Sequence, residues 1–479
     1  MIQNIIKRPV LAIVISVVIL FMASCQSSNS VQQETDLTMP KSYLEPSDSS
    51  NSADVSWRDF FKDPYLINLI DTALQNNQEF KITMYEIEIA QNEVRARKGE
   101  YLPFLNLGGG AGADKPGRFT RNGALEANIP IEAGKQFPEP LQDYYLGGYA
   151  TWEIDVWRKM RNAKKSALHR YLGSVEAKNF MQTQLISEIA QTYYELLALD
   201  NQLDIIERNI KAQQDALQIV RLEKQSARVT ELAVQRFEAQ VLNTRSLEFD
   251  VKQQIVETEN KLNFLVGRFP QKVERTSSDF SDLLPNEIQE GLPSHLFENR
   301  PDIRQAEQNL IAAKLDVKVA RANFYPSLGI NAAIGLQAFN PTYLVSPESI
   351  LFGLAGDLAA PLVNRNAIKA QYNTANAKQV QAIYEYEQCL LLAYMEVSNM
   401  VSRIENLQLS YDLNKQQVAA LTKSIAISNN LFRSARADYM EVLLTQRDAL
   451  ESKFELVDLK LEQLNASIDL YRALGGGWN

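Results

Sequence analysis

The sequence predicts a mainly α-helical, internally duplicated fold with a small β part. Three observations carry this: two stretches of nearly seventy residues free of helix breakers, four short alternating strands arranged in pairs, and a second half that repeats the first. From Lys159 to Gln225 there is no proline and one glycine, Gly173, and from Asn364 to Arg433 there is neither. Both stretches are rich in Ala, Gln, Glu, Leu and Lys, which suit helices. At 1.5 Å per residue each would reach roughly 100 Å.

The repeat sets the order of elements. "EVRARKGEYLPFLNLGGGAG" (Glu93 to Gly112) matches "DVKVARANFYPSLGINAAIG" (Asp316 to Gly335) at an offset of 223, with Pro103 on Pro326. "SAR" at Ser226 pairs with "SAR" at Ser434, and "LVG" ending at Gly267 with "ALG" ending at Gly475, both at an offset of 208. Each half therefore reads helix, strand, loop, second strand, very long helix, tight break, returning helix. Pro103 and Pro326 end helical hydrogen bonding where a strand takes over.

The strands have an unusual division of bulk. In "FYPSLGINAAIGL" (Phe324 to Leu336), Pro326, Leu328, Ile330, Ala332, Ile334 and Leu336 share one face, while Ser327, Gly329, Asn331, Ala333 and Gly335 share the other. Leu105, Leu107 and Ala111 repeat the pattern. The second strands carry Leu146, Ala150, Trp152, Ile154 and Val156, then Ile350, Phe352, Leu354, Leu358 and Leu362. Oily outside and small or polar inside over about ten residues is the pattern of an outer-membrane barrel wall. Leu328, Ile330, Ile334, Leu354 and Leu358 are accordingly expected to face lipid. A bilayer tolerates no open sheet edge, and the smallest single-chain barrels need about eight strands. Several chains must share one barrel, and three would supply twelve strands. Asp114 to Asp143 is expected to lie outside the cell.

Helices this long need continuous neighbours. Leu443, Leu450, Val457, Leu464 and Tyr471 alternate with Arg447, Phe454, Leu461 and Ile468 at spacings of four and three, which predicts coiled-coil packing. Phe237, Val241, Val251, Ile255, Leu262 and Leu265 give a weaker version, interrupted by Glu248.

The first residues place the chain. Lys7 and Arg8 precede an apolar run from Val10 to Met22, then Ala23, Ser24 and Cys25, the layout of a secretory signal. Cys25 stands where bacterial lipoproteins are acylated, so residues 1–24 are expected to be cleaved and 25–56 to form a lipidated tether. Gln26, rather than Asp, follows it, which by the lipoprotein sorting rule points to the outer membrane. Removing Lys7 and Arg8 takes the formal charge from −9 to −11, which disfavours a nucleic-acid partner. With Cys25 acylated, Cys389 has no partner within the chain for a disulfide. His169 and His295 lie far apart with no ligand spacing, and no P-loop, GxSxG or CxxC occurs, so no catalytic residue, metal ligand or cofactor is expected.

"WRDFFKDPYLINLIDTALQNN" (Trp57 to Asn77), "NRPDIRQAEQNLIAAKLDVKVARANFYPSLGINAAIG" (Asn299 to Gly335) and "LYRALGGGW" (Leu470 to Trp478) resemble the TolC-like outer-membrane efflux proteins, in particular the lipoprotein (NodT-like) subgroup of resistance-nodulation-division systems. The resemblance implies a homotrimer with a twelve-stranded transmembrane β-barrel continuous with a periplasmic α-barrel. It also implies a first repeat over 57–268, an equatorial linker over 269–298, and a second repeat with a C-terminal equatorial tail over 299–479. The implied function is the outer-membrane channel of a tripartite efflux pump. Its partners would be a periplasmic adaptor and an inner-membrane resistance-nodulation-division transporter that supplies the energy. A type I protein-secretion duct and a structural helical-hairpin lipoprotein are the alternatives.

The breaks "SARVTEL" and "SARADYMEV" turn the long helices back, so six such turns would ring one end of a trimer. The resemblance makes this end a gate and adaptor contact, with Arg228, Glu231, Arg436, Asp438 and Glu441 as candidate residues. Glu441 occupies a position where family members often carry a gate carboxylate, and Leu444 replaces a second one. Ala227 and Ala435 stand where family members commonly have glycine.

Overall fold

In the computed structural model, the described residues are 39–43, 51–131, 133–276, 280–283, 288–363, 365–434 and 436–478. Cys25, the rest of the signal and Ala435 lie outside them. The helices of eight residues or more are α1 (Pro64–Asn76), α2 (Gln78–Glu100), α3 (Arg121–Asn128), α4 (Lys159–Gln225), α5 (Glu231–Val266), α6 (Pro301–Ala322), α7 (Asn366–Arg433) and α8 (Tyr439–Ala473). The strands are β1 (Phe104–Asp114), β2 (Leu141–Ile154), β3 (Ser327–Ala338) and β4 (Ile350–Ala359). Their order reproduces the duplicated plan. α4 has 67 residues and α7 has 68, so the breaker-free stretches became single helices.

The four strands form one antiparallel sheet in the order β1-β2-β3-β4, with β1 and β4 as open edges. β2 stops at Ile154 and β4 at Ala359, so Val156 and Leu362 fall beyond the strands. On the helical side, α2 packs on α4, α4 on α6 and α6 on α7 in the half nearest the sheet. In the far half α5 packs on α4, α4 on α8 and α8 on α7. One chain is thus a layer four helices wide, crowned by four strands.

The two repeats are buttoned to the middle of this layer in the same way. Gly267 ends α5 with φ +79°, and Gly475 follows α8 with φ +96°. A side chain at either would run into main chain, at Asn76 in one case and Asn299 in the other, so the left-handed turn and the close approach both call for glycine. Around the first site a large core gathers Phe60, Phe61, Leu66, Tyr193, Leu262 and Tyr471. Pro301 sits at the first position of α6 with Asp302 in the first turn, as read from the sequence.

Two expectations are adjusted. In α8 the seam does contain Leu443, Leu450, Val457, Leu464, Ile468 and Tyr471, but Arg447 is exposed and Phe454 and Leu461 are half-buried. The buried positions between the leucines include Gln446, Lys460, Gln463 and Ser467, because α8 is packed on both α4 and α7 and the second partner shifts the buried stripe. Residues 39–43 and 51–56, expected to belong to a tether, are packed on the body, with Tyr43 and Ala53 buried. Tyr43 stacks on Tyr394 with centroids 5.4 Å apart, and the Tyr471 hydroxyl donates to the Val55 carbonyl at 2.7 Å.

Candidate functional site

The sheet register sorts the side chains cleanly. Leu328 faces Leu358 and Ile154 across its two neighbours; Ile330 faces Trp152 and Gly356; Ile334 faces Phe352; Leu354 faces Ala332. All five expected lipid-facing residues therefore lie on one face, joined by Leu105, Leu107 and Leu146. Leu107 is 91 % exposed and Leu354 78 %, so nothing among the described residues covers these positions.

The opposite face carries Asn331, Asp357, Asp143, Gln337, Tyr145 and Tyr149. The Gln337 amide donates to Asp143 at 2.9 Å, and the Asn331 amide donates to Asp357. The Tyr145 ring lies where a side chain at Gly110 would be, and Tyr149 lies over Gly108. The run Gly108 to Gly110 thus leaves room for β2 tyrosines. The sequence held this signal in the glycines opposite an aromatic strand, but only the register reveals it.

At the far end of the layer, α4 turns into α5 over residues 226–230, and α7 into α8 over 434–438. Arg228, Glu231, Arg436, Asp438 and Glu441 are all exposed there. Glu231 pairs with Lys224, whose hydrogen bond and charge hold its carboxyl below the usual range. Arg221 pairs with Glu238 at 3.3 Å. Among the described residues, Arg228, Arg436, Asp438 and Glu441 form no ion pair within the chain. The tip is held by an apolar cluster that sequence reasoning did not single out: Leu217 and Val220 from α4, Val234 and Phe237 from α5, and Val442 and Leu443 from α8. Ala227 occupies the left-handed region with φ +57°, the conformation glycine adopts freely.

No group of three His, Cys, Asp or Glu among the described residues could hold a metal ion. His169 meets Gln308 at 2.8 Å, far from His295. Burial and then the Asp302 carboxylate push the Cys389 thiol up to about 12, which makes it a poor nucleophile. No helix among the described residues is long and apolar enough to cross a membrane.

A sheet with one oily exposed face and two open edges, standing on a helical layer of about 100 Å, is the architecture of an outer-membrane channel protein. Residues 69–268 and 292–476 match the family model "Outer membrane efflux protein", one block for each repeat. The chain belongs to the outer membrane efflux protein family. It is 29 % identical over 441 residues to the pyoverdine export outer membrane protein OpmQ of Pseudomonas putida, covering 92 % of each chain. It is 24 % identical to the probable outer membrane lipoprotein SilC of Salmonella typhimurium, covering 96 % of this chain and 97 % of the relative. The crystal structure of CusC superposes with a TM-score of 0.82 at 23 % identity, covering 95 % of this chain and all of that one.

Proposed function

We propose that three copies of this chain close into a duct through the outer membrane and periplasm, the outer-membrane component of a tripartite efflux pump. The observation that carries the reading is that both edges of the layer are unfinished along its whole height. In the sheet, β1 and β4 have unpaired outer sides. In the near half the edge helices α2 and α7 expose Ile82, Tyr85 and Ile89 and, facing away, Tyr384 and Leu391. In the far half α5 exposes Leu242, Phe249 and Val256 at intervals of seven, and α7 exposes Leu409, Leu413 and Ile427. Such stripes on edge helices are coiled-coil seams awaiting a partner, and an identical neighbour supplies one at each edge.

Cys25 would add acyl chains that anchor the mature N-terminus in the inner leaflet. Leu328, Ile330, Ile334, Leu354 and Leu358 would meet lipid, and the excursion containing α3 would lie outside the cell. The tip would face a periplasmic adaptor, with an inner-membrane resistance-nodulation-division transporter as the energy source. The reading assigns the chain no chemistry of its own. The relatives OpmQ and CusC are named for pyoverdine and for cation efflux, so one duct architecture serves different cargo. The test is a disulfide scan with one cysteine in β1 and a series along β4. Bands at three times the chain mass support the closure; cross-links limited to dimers contradict it.

A further inference from the structure

The helix ends next to the sheet carry a charge unlike that of the rest of the chain. The formal charge of the whole sequence is −9, yet α4 has no carboxylate before Glu176 and α7 none before Glu385. Within the two turns nearest the sheet, all four helices expose cations: Lys98 on α2, Lys165 on α4, Lys318 and Arg321 on α6, and Lys369 on α7. Among the described residues none of these five forms an ion pair. The carboxylates nearby are already taken: Glu93 and Glu100 by Arg97, Glu153 by Lys159, Asp155 by Arg161, and Asp316 by Arg170.

The two repeats place these cations alike. The offset of 223 sets Lys98 on Arg321, and that of 208 sets Arg161 on Lys369. Arg161 and Lys165 are one turn apart on α4, and Lys314, Lys318 and Arg321 follow at four and three on α6, so each helix presents its cations as one stripe. α4 meets α6 through Ser166, His169 and Gly173, and meets α2 where Lys178 lies over Phe80. α6 meets α7 through Leu310 and Val317. With those contacts fixed, the helical wheel brings the two stripes out on the same side of the layer.

That side is continuous with the oily face of the sheet. The Arg161 guanidinium lies 5.9 Å from the centre of the Tyr101 ring, and the indole of Trp152, on the oily face of β2, donates to the Tyr101 carbonyl at 3.2 Å. At the same level Trp157 donates to the Pro326 carbonyl at 2.7 Å and stacks on Tyr325 at 4.7 Å. Tryptophan and tyrosine at the end of an oily face mark the level of lipid headgroups. The cations begin just beyond these rings, and two helical turns span about 11 Å, within reach of a headgroup layer of about 5 to 8 Å for side chains as long as lysine and arginine.

We propose that Lys98, Lys165, Lys318, Arg321 and Lys369 form a collar that binds the phosphates of phospholipid headgroups in the leaflet nearest the helices, and that it prefers headgroups of net negative charge, such as phosphatidylglycerol. The inference rests on the reading that the oily face meets lipid and adds which lipid is held there. Each ammonium offers its donors to a phosphate oxygen, and the Arg321 guanidinium can grip two oxygens at once.

The experiment reconstitutes the full-length protein into phosphatidylcholine vesicles in which a small share of the lipid is brominated phosphatidylglycerol or, in parallel, brominated phosphatidylcholine. Bromine quenches nearby indoles, and Trp152 and Trp157 stand at the boundary. Quenching of the parent should report about a fivefold preference for phosphatidylglycerol at low ionic strength, falling towards none in high salt. The triple variant Lys98→Gln, Lys318→Gln, Arg321→Gln should lose the preference while brominated phosphatidylcholine quenches it as it does the parent. Equal quenching of the parent by the two lipids would overturn the proposal, as would a preference that survives in the variant. A variant with altered ion selectivity and unaltered lipid preference would put the collar in the lumen and overturn it too. The salt dependence of the parent is a test that does not depend on the variant assembling. If neither brominated lipid quenches the parent, the lipid-facing reading itself fails and the collar falls with it.

Discussion

The Arg300 guanidinium donates to the main-chain carbonyl of Ala473 at 2.9 Å. The Asn77 amide, 223 residues earlier, does the same to Leu265 at 2.8 Å, so the two repeats are fastened by one device with different side chains. Arg300 also meets Asp302 at 2.7 Å and Glu396 at 2.8 Å while only 5 % exposed. Burial works against its charge, but the two carboxylates outweigh that and hold it fully protonated. Arg300→Met would leave Asp302 and Glu396 facing each other without a counter-charge, a loss of about 3 to 5 kcal/mol. Asn77→Ala should cost less, about 1 to 3 kcal/mol. Chemical denaturation of both variants checks the ranking; equal effects would mean that the carboxylate pairs contribute nothing.

Lys460 tests the polar seam of α8 by pH. It is 5 % exposed, with its ammonium 5.1 Å from the centre of the Tyr411 ring. Burial, and then Lys415, lower its pKa below the ordinary lysine value. A lysine depressed in the folded state makes folding more favourable as pH rises through its folded pKa towards the unfolded value, because the unfolded chain then binds more protons. Lys460→Met should therefore be at least as stable as the parent at neutral pH, and the gap should narrow at alkaline pH. A variant much less stable at neutral pH would show that the charge is needed.

Ala227 is strained where its turn wants glycine. Relief of the left-handed penalty, less the entropy glycine adds to the unfolded chain, predicts that Ala227→Gly stabilises the first tip by about 0.5 to 1 kcal/mol. Slower exchange of amides in residues 220–234 is the readout, and faster exchange would refute the assignment of strain.

The barrel wall makes a parity prediction. Ile330→Arg, on the oily face, should destabilise by roughly 2 to 4 kcal/mol if near the bilayer midplane, whereas Asn331→Arg, one residue on, should assemble and alter ion selectivity. Equal tolerance at the two positions would contradict the sidedness of the sheet.

Much of this architecture was legible in the sequence because its signals are local and long. The scarcity of breakers gave α4 as one very long helix from about Lys159 to the break at Ser226, and the period-two alternation in β3 gave the oily face that the register then extended across all four strands. What stayed hidden depends on contacts between distant segments. Arg447 looked like a seam residue on α8 alone, but it is exposed and the buried stripe takes in Gln446 and Lys460, because α8 packs on α4 as well as on α7; Phe454 and Leu461 are half-buried against the apolar clusters. The tip charges were visible as charges, yet their partners were not: Glu231 is taken by Lys224 across the turn, leaving Arg228 and Arg436 without an ion pair among the described residues. Leu443 looked like an ordinary heptad residue, and only the meeting of the two hairpin ends shows it with Val442 in the tip cluster.

Single-channel recording of the purified full-length protein in planar bilayers tests the central claim most directly. If the chain is a trimeric duct closed at its tip, the parent shows small, cation-selective steps that multivalent cations block, because three copies of Glu441 crowd around one axis. Glu441→Ala should weaken that block by removing the carboxylates, and Arg436→Ala, which removes a cation able to pair with carboxylates of a neighbouring turn, should raise the conductance. Trimers that conduct nothing would contradict the duct, and conducting trimers in which both variants match the parent would move the constriction away from the tip.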